Sequence, residues 1–160
     1  MEGAGDTNGD GVPDVVASGP GGAGVAFIYS GRDGRVLQSF KSPNAGEAFG
    51  NHVSTAGDVN HDGYAAVIIG SPGKEGEGKL PGHAYVYSGK DGRLLLSLQG
   101  DRAGDEFGSA VAGTPGTIKG PVLVVGAPRA GPARPAKMPV MVSARAHRTP
   151  ATLTAMDTRI

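Results

Sequence analysis

Cysteine and tryptophan are both absent from this chain of 160 residues. Without cysteine there are no disulfides, no thiolate metal site and no thiol nucleophile, although the compartment stays open because secreted proteins can also lack cysteine. Aromatic residues are scarce, with Phe 4 and Tyr 4, so a core must be built from small aliphatic side chains and will be thin. No apolar run approaches the roughly 20 residues that a membrane-spanning helix needs. The opening MEGAGDTNGDG has neither a basic start nor an apolar stretch, and so does not read as a secretory leader. No window sustains a 3.6-residue apolar period, which predicts essentially no helix. Gly 29 and Pro 12 are abundant instead, as expected of a chain with many tight turns.

The formal net charge of +0 hides an asymmetry, because six of the fifteen Lys and Arg residues fall after residue 128, against one of the fifteen acids. From about residue 129 the composition shifts to Ala, Pro, Arg and Met. The basic residues there are scattered and have no aromatics among them to stack bases, so no nucleic-acid partner is expected and the tail reads as loosely ordered.

The chain repeats itself. Gly46-Glu47-Ala48-Phe49-Gly50 returns 58 residues later as Gly104-Asp105-Glu106-Phe107-Gly108. Tyr29-Ser30-Gly31-Arg32-Asp33-Gly34-Arg35 returns at the same interval as Tyr87-Ser88-Gly89-Lys90-Asp91-Gly92-Arg93. A period of this length suits a four-stranded propeller blade with loop insertions. In the middle copy, short runs rich in Val, Ile, Leu and Tyr predict strands over His52–Ala56, Ala65–Gly70, Ala84–Ser88 and Arg93–Gln99. Ser88–Gly92 is expected to be a hairpin connection, since Asp-Gly readily supplies positive φ angles. These boundaries give a first blade over residues 1–45 that lacks its first strand, a complete blade over 46–103 and a degenerate third over 104–160. Val140–Ser143 stands where Tyr85–Ser88 stands one blade earlier, as a worn third strand.

Two loops carry candidate chemistry. Asp6, Asn8, Asp10 and Asp14 occupy positions one, three, five and nine, with Gly11 at position six and the Val12 carbonyl at position seven. Calcium takes about 6–8 hard oxygen ligands, and alternate side chains of a curled loop can converge on one point, with glycine permitting the sharp turn. An EF-hand would need a Glu at position twelve and flanking helices, whereas Ala17 stands there inside an apolar strand. The bland alternative is that Asp, Asn and Gly merely build Asx-turns. The second loop keeps Asp58, Asn60, Asp62, Gly63 and the Tyr64 carbonyl but has Ala66 at position nine, so weaker binding is expected. His61 should face solvent. The third loop, Thr114–Pro121, has no acidic residue and should bind none.

Phe-Gly, then a loop, then Gly-Ser-Pro or Gly-Ala-Pro occur in fixed order at Phe49-Gly50 with Gly70-Ser71-Pro72, where the loop is the second calcium candidate, and at Phe107-Gly108 with Gly126-Ala127-Pro128, where it is not. Ser18-Gly19-Pro20 is a looser match, and no Phe-Gly precedes Asp6. Over about residues 5–128 the chain resembles the FG-GAP repeats of integrin α-type β-propellers, found also in bacterial secreted proteins. The resemblance implies an all-β fold, a partial, open β-propeller of FG-GAP blades with structural Ca2+ in the loop between first and second strands. It also implies an extracellular or cell-surface setting, a protein or surface ligand, and about seven blades in a closed ring. Two recognisable blades and a worn third cannot close, so exposed edge strands are expected, along with further blades in a longer parent chain.

Catalytic readings fare poorly. Gly19–Gly24 matches G-x-G-x-x-G, but the strand Val25–Tyr29 follows it where a pyrophosphate-binding helix should start. Gly73–Leu80 nearly spells a P-loop, yet Leu80 replaces the Mg²⁺-binding hydroxyl and glutamates lie within it. His52, His61, His83 and His147 show no metal-ligand spacing, and no G-x-S-x-G elbow is present. The expectation is a non-enzymatic, calcium-binding module for adhesion or protein recognition. The alternative is an accessory propeller of a secreted hydrolase whose catalytic domain lies elsewhere.

Overall fold

In the computed structural model, residues 1–19, 24–73, 80–114, 120–129, 141–143 and 155–156 are described. They form twelve strands and no helix. The first sheet contains β1 (Glu2–Gly5), β2 (Asp14–Gly19), β3 (Val25–Tyr29) and β4 (Val36–Lys41). The second contains β5 (His52–Gly57), β6 (Ala66–Ser71), β7 (Pro81–Ser88) and β8 (Leu94–Ala103). The third contains β9 (Ala110–Gly113), β10 (Val122–Gly126), β11 (Met141–Ser143) and β12 (Ala155–Met156). Each sheet is an antiparallel meander of four strands in sequence order.

The first sheet therefore does have a first strand, which the sequence reading denied it. Glu2–Gly5 contains no β-branched or aromatic residue, so propensity gives no signal. The strand exists because its backbone pairs with β2, Glu2 opposite Val16 and Gly3 opposite Val15. Its Ala4 is fully buried, and the Ala4 carbonyl accepts a hydrogen bond from Thr55 Oγ1 of β5 at 3.1 Å.

The sheets stack face to face, with the first strands β1, β5 and β9 packed successively against one another. Between the first and second sheets lie Ala4, Val16, Ala26, Ile28 and Phe40 on one side and Phe49, Val53, Val67, Ile69, Tyr85 and Tyr87 on the other. Ile68, Ala84 and Val86 of the second sheet meet Phe107, Val111, Leu123 and Val125. Thus β6 is buried at all of its positions because both its faces are covered, whereas β2 and β3 alternate between buried and half-buried.

The Phe-Gly pairs sit at these junctions. Phe49 is 1% exposed and packs against the Tyr85 and Tyr87 rings. Burial on this scale stabilises by about 1.5–3 kcal/mol per large side chain. Gly50 N donates to the Gly70 carbonyl at 3.0 Å, and Gly108 N to that of Gly126 at 2.9 Å. A side chain at Gly82 would run into the Phe107 backbone, and one at Gly24 into that of Phe49, so each Phe-Gly corner rests on a glycine of the preceding sheet. The paired hairpins match as well: Gly34 N donates to the Ser30 carbonyl, and Gly92 N to that of Ser88, with positive φ at both glycines.

Candidate metal loops

Loop one runs between β1 and β2, and loop two between β5 and β6. In loop one Asp6 Oδ1 accepts the N–H of Gly9 at 2.7 Å, and Oδ2 that of Gly11 at 2.9 Å. Asn8 Oδ1 accepts from Asp10 N, and Asp10 Oδ1 from Val12 N, both at 2.9 Å. This is a ladder of Asx-turns that curls the backbone. The Val12 N–H holds the Asp10 carboxyl below its ordinary value, with Asn8 and Arg32 adding to the effect. Arg32 Nε lies 3.3 Å from Asp10 Oδ2, and its guanidinium also donates to the Asp10 carbonyl at 2.8 Å.

Loop two repeats the ladder. Asp58 accepts from Asp62 N and Gly63 N, both at 3.0 Å. Asp62 Oδ1 accepts from Tyr64 N at 3.0 Å, and Asn60 Nδ2 donates to Asp62 Oδ2 at 2.9 Å. His61 is exposed, with a positive φ of 56°. The two loops touch: Ala65 N donates to the Asp6 carbonyl at 2.8 Å, and the Tyr64 ring lies against Gly9.

Asp14 stands apart from the other sequence-selected residues. It is buried, with Oδ2 accepting from Thr7 N at 2.9 Å and Thr7 Oγ1 at 2.6 Å, and Oδ1 from Gly31 N at 3.0 Å. The carboxylate therefore pins loop one to the β3–β4 hairpin. Among the described residues no three His, Cys, Asp or Glu side chains are grouped to hold a metal ion. The available donor set is one of hard oxygens from Asp, Asn and backbone carbonyl, the chemistry that calcium takes. A carboxylate oxygen that accepts one N–H keeps a second lone pair, so the set fits the ion. Loop three is closed at its base by Thr114 N donating to the Val122 carbonyl at 3.0 Å and Val122 N to Thr114 Oγ1 at 3.1 Å. Residues 115–119 of that loop lie outside the described residues, as do most of the G-x-G-x-x-G and P-loop-like stretches, His147 and most of the tail after 129.

Sequence reasoning gave no role to Glu47. It is 1% exposed; its Oε2 accepts from Tyr85 Oη at 2.8 Å, and Oε1 from Asn44 Nδ2 at 3.0 Å. Ser71 Oγ donates to the Glu47 carbonyl at 2.9 Å. His83 Nδ1 lies 2.8 Å from Oε1 without a hydrogen bond to it, and the His83 ring stacks on that of Tyr85. Burial first, and then Glu47, raise the Tyr85 hydroxyl above its ordinary value. The available signal was the position of Glu47 inside the repeated Gly-Glu-Ala-Phe-Gly. The cluster fastens the connection between first and second sheets onto the second.

Four-stranded antiparallel sheets stacked through their first strands, the second and third each entered by Phe-Gly, define a repeat protein of propeller-type blades. Residues 6–69 match the FG-GAP-like repeat family, and the chain is an FG-GAP repeat protein. It is 29% identical over 115 residues to integrin alpha-4 of Xenopus laevis, covering 66% of this chain and 11% of the relative. To integrin alpha-V of Gallus gallus it is 30% identical over 118 residues, covering 68% and 11%. To the phosphatidylinositol-glycan-specific phospholipase D of Bos taurus it is 36% identical over 90 residues, covering 48% and 11%. The chain thus spans about a tenth of the length of these curated relatives.

Proposed function

We propose that the chain is a non-enzymatic, calcium-binding repeat module for adhesion or protein recognition at the cell surface or outside the cell. In this reading it works as part of a longer propeller whose further blades complete the fold. Loop one carries the proposal: inside the matched repeat it presents Asp6, Asn8, Asp10 and the Val12 carbonyl from one curled backbone. Asp14, the residue at position nine, would join the set through Oδ1, which takes only the Gly31 N–H, while Oδ2 stays bonded to Thr7. Calcium, when bound, supplies the positive charge that offsets repulsion among these carboxylates. In loop two Asp58, Asn60, Asp62 and the Tyr64 carbonyl form a poorer set, because Ala66 brings no oxygen to position nine. The integrin likenesses support adhesion or recognition, since two of the relatives above are integrin alpha chains.

Calorimetric titration of the chain with calcium tests this reading. Binding at about 10⁻⁴–10⁻³ M, the range of extracellular modules, should disappear in Asp10→Ala and survive in Asp62→Ala. Absence of binding to the folded chain, shown by circular dichroism, would overturn the calcium assignment. A second reading rests on the phospholipase D likeness: an accessory propeller attached to a secreted hydrolase, with the catalytic segment elsewhere. A catalytic segment flanking these repeats in a longer chain would favour that reading.

A further inference from the structure

Loop one holds a reactive pair that metal ligation does not use. The chain has four asparagines, Asn8, Asn44, Asn51 and Asn60, followed by Gly9, Ala45, His52 and His61. An asparagine loses its amide when the backbone nitrogen of the next residue attacks the side-chain Cγ. A Cβ on that next residue hinders the approach, and glycine has none. Asn8-Gly9 is therefore the pair suited to this cyclisation.

The step needs no reagent except water. Gly9 N gives up its proton and bonds to Asn8 Cγ, the Cγ–Nδ2 bond breaks, and ammonia leaves carrying that proton. Water then opens the cyclic imide at either carbonyl. One opening leaves aspartate at position 8. The other leaves isoaspartate, in which the main chain runs through the former side chain.

Both reacting groups are held back in the closed loop. Gly9 N donates to Asp6 Oδ1 at 2.7 Å, so its proton is engaged and the carboxylate opposes the negative charge that the nitrogen must develop. The Asn8 amide is turned to Asp10, with Oδ1 accepting from Asp10 N at 2.9 Å and Nδ2 donating to Asp10 Oδ2 at 3.1 Å. Loop two differs at this point, since Asp58 Oδ1 accepts from the fifth position, Asp62 N, at 3.0 Å. The contact to the fourth position thus falls in the loop whose fourth residue is glycine. Asn8 is half-buried and Gly9 exposed, so water reaches the pair once the loop opens.

We propose that Asn8 is a modification site, converted to aspartate or isoaspartate through Gly9, and that the Asp6 contact sets the rate by keeping the pair closed. Either product weakens the ladder. Aspartate removes the Nδ2 donor and sets a second carboxylate against Asp10, while isoaspartate lengthens the main chain between Asp6 and Asp10. The inference needs no calcium, so it fails or stands independently of the functional proposal.

Peptide mapping by mass spectrometry on the full chain, incubated in chelator at mildly alkaline pH, provides the test, with circular dichroism reporting the fold. In guanidinium, Asn8 should convert well ahead of Asn44, Asn51 and Asn60. In buffer it should convert more slowly by about tenfold or more, because the reaction waits on local opening. Asp6→Ala should lose most of that protection, and Asp6→Asn, which keeps an oxygen acceptor, should retain it. Should Asp6→Ala unfold, Asp10→Ala frees the Asn8 amide instead and should convert faster than the parent chain. Asn8 lagging behind Asn60 in guanidinium would overturn the site. Equal rates in the folded and unfolded chain, or a folded Asp6→Ala or Asp10→Ala as slow as the parent, would overturn the protection.

Discussion

Loops one and two are built on the same ladder of Asx-turns but differ beneath it. In loop one the ninth position is Asp14, which takes hydrogen bonds from Thr7 and from Gly31 of the hairpin. In loop two the equivalents of Asp14 and Thr7 are Ala66 and Val59, and both belong to the apolar junction with the third sheet. A buried Thr7–Asp14 pair tied to the exposed Gly31, and a buried Ala66 with a half-buried Val59, thus stand at the root of the two loops. A polar anchor demands that every donor be satisfied; an apolar one demands only fit. Loop one also keeps a carboxylate that loop two has lost.

The comparison breaks most severely at Asp14. Asp14→Ala should destabilise the chain by about 3 kcal/mol in chelator, because the Thr7 N–H, the Thr7 hydroxyl and the Gly31 N–H all lose their buried acceptor. Urea unfolding monitored by circular dichroism measures this. The double change Thr7→Val with Asp14→Ala, which copies loop two, should recover about 1 kcal/mol by removing one stranded donor. No recovery would mean the two anchors are not interchangeable.

The reverse graft is next in size. Ala66→Asp places a carboxylate in the apolar junction around Val59, Ile68 and Leu123 and should destabilise by about 2 kcal/mol. Adding Val59→Thr supplies the missing donor and should restore part of that loss. If the double variant also bound calcium more tightly at loop two, the ninth oxygen alone would account for the difference in affinity.

Much of this was readable in the sequence. The 58-residue interval located two hairpins and two Phe-Gly corners, because turns depend on local residue types such as Asp-Gly. Four strands of the second sheet emerged from their β-branched and aromatic content. β1 did not, since Glu-Gly-Ala-Gly owes its strand to pairing with β2 and to the burial of Ala4. The spacing of the Asp and Asn residues revealed the Asx ladder. It could not reveal that Asp14 points to Thr7 and Gly31, because the hairpin that supplies the Gly31 N–H comes from 17 positions along the chain. Glu47 stayed hidden for the same reason: its partner Tyr85 is 38 positions away.

A smaller effect separates the fourth positions, Gly9 and His61. Both have positive φ, 77° and 56°, yet one is glycine and the other is not. His61 is exposed and meets only the strain of its backbone, whereas a Cβ at Gly9 would lie 2.7 Å from Tyr64 Cε1. Gly9→Ala should therefore destabilise by about 1–2 kcal/mol, and less in a Tyr64→Ala background. His61→Gly should change stability by under about 1 kcal/mol. Thermal unfolding of these variants would show whether Tyr64, rather than the loop itself, dictates glycine at position nine of the chain.

The least effect is expected where the hairpins reach over the loops. Arg32 extends to Asp10 in loop one, while its repeat equivalent Lys90 lies over the Tyr64 ring of loop two, 4.6 Å from the centroid. The charge on Asp10 is favoured first by the Val12 N–H and only later by Arg32. Because its folded-state value is lowered, Asp10 contributes stability above its ordinary value of 3.8, and that contribution fades as pH falls through the lower, folded value. Arg32→Ala should therefore move the Asp10 titration only part of the way back toward the ordinary value, as followed by carboxyl NMR, whereas Lys90→Ala should leave it unchanged. A full return in Arg32→Ala would mean that the guanidinium, and not the backbone of the loop, holds the Asp10 charge.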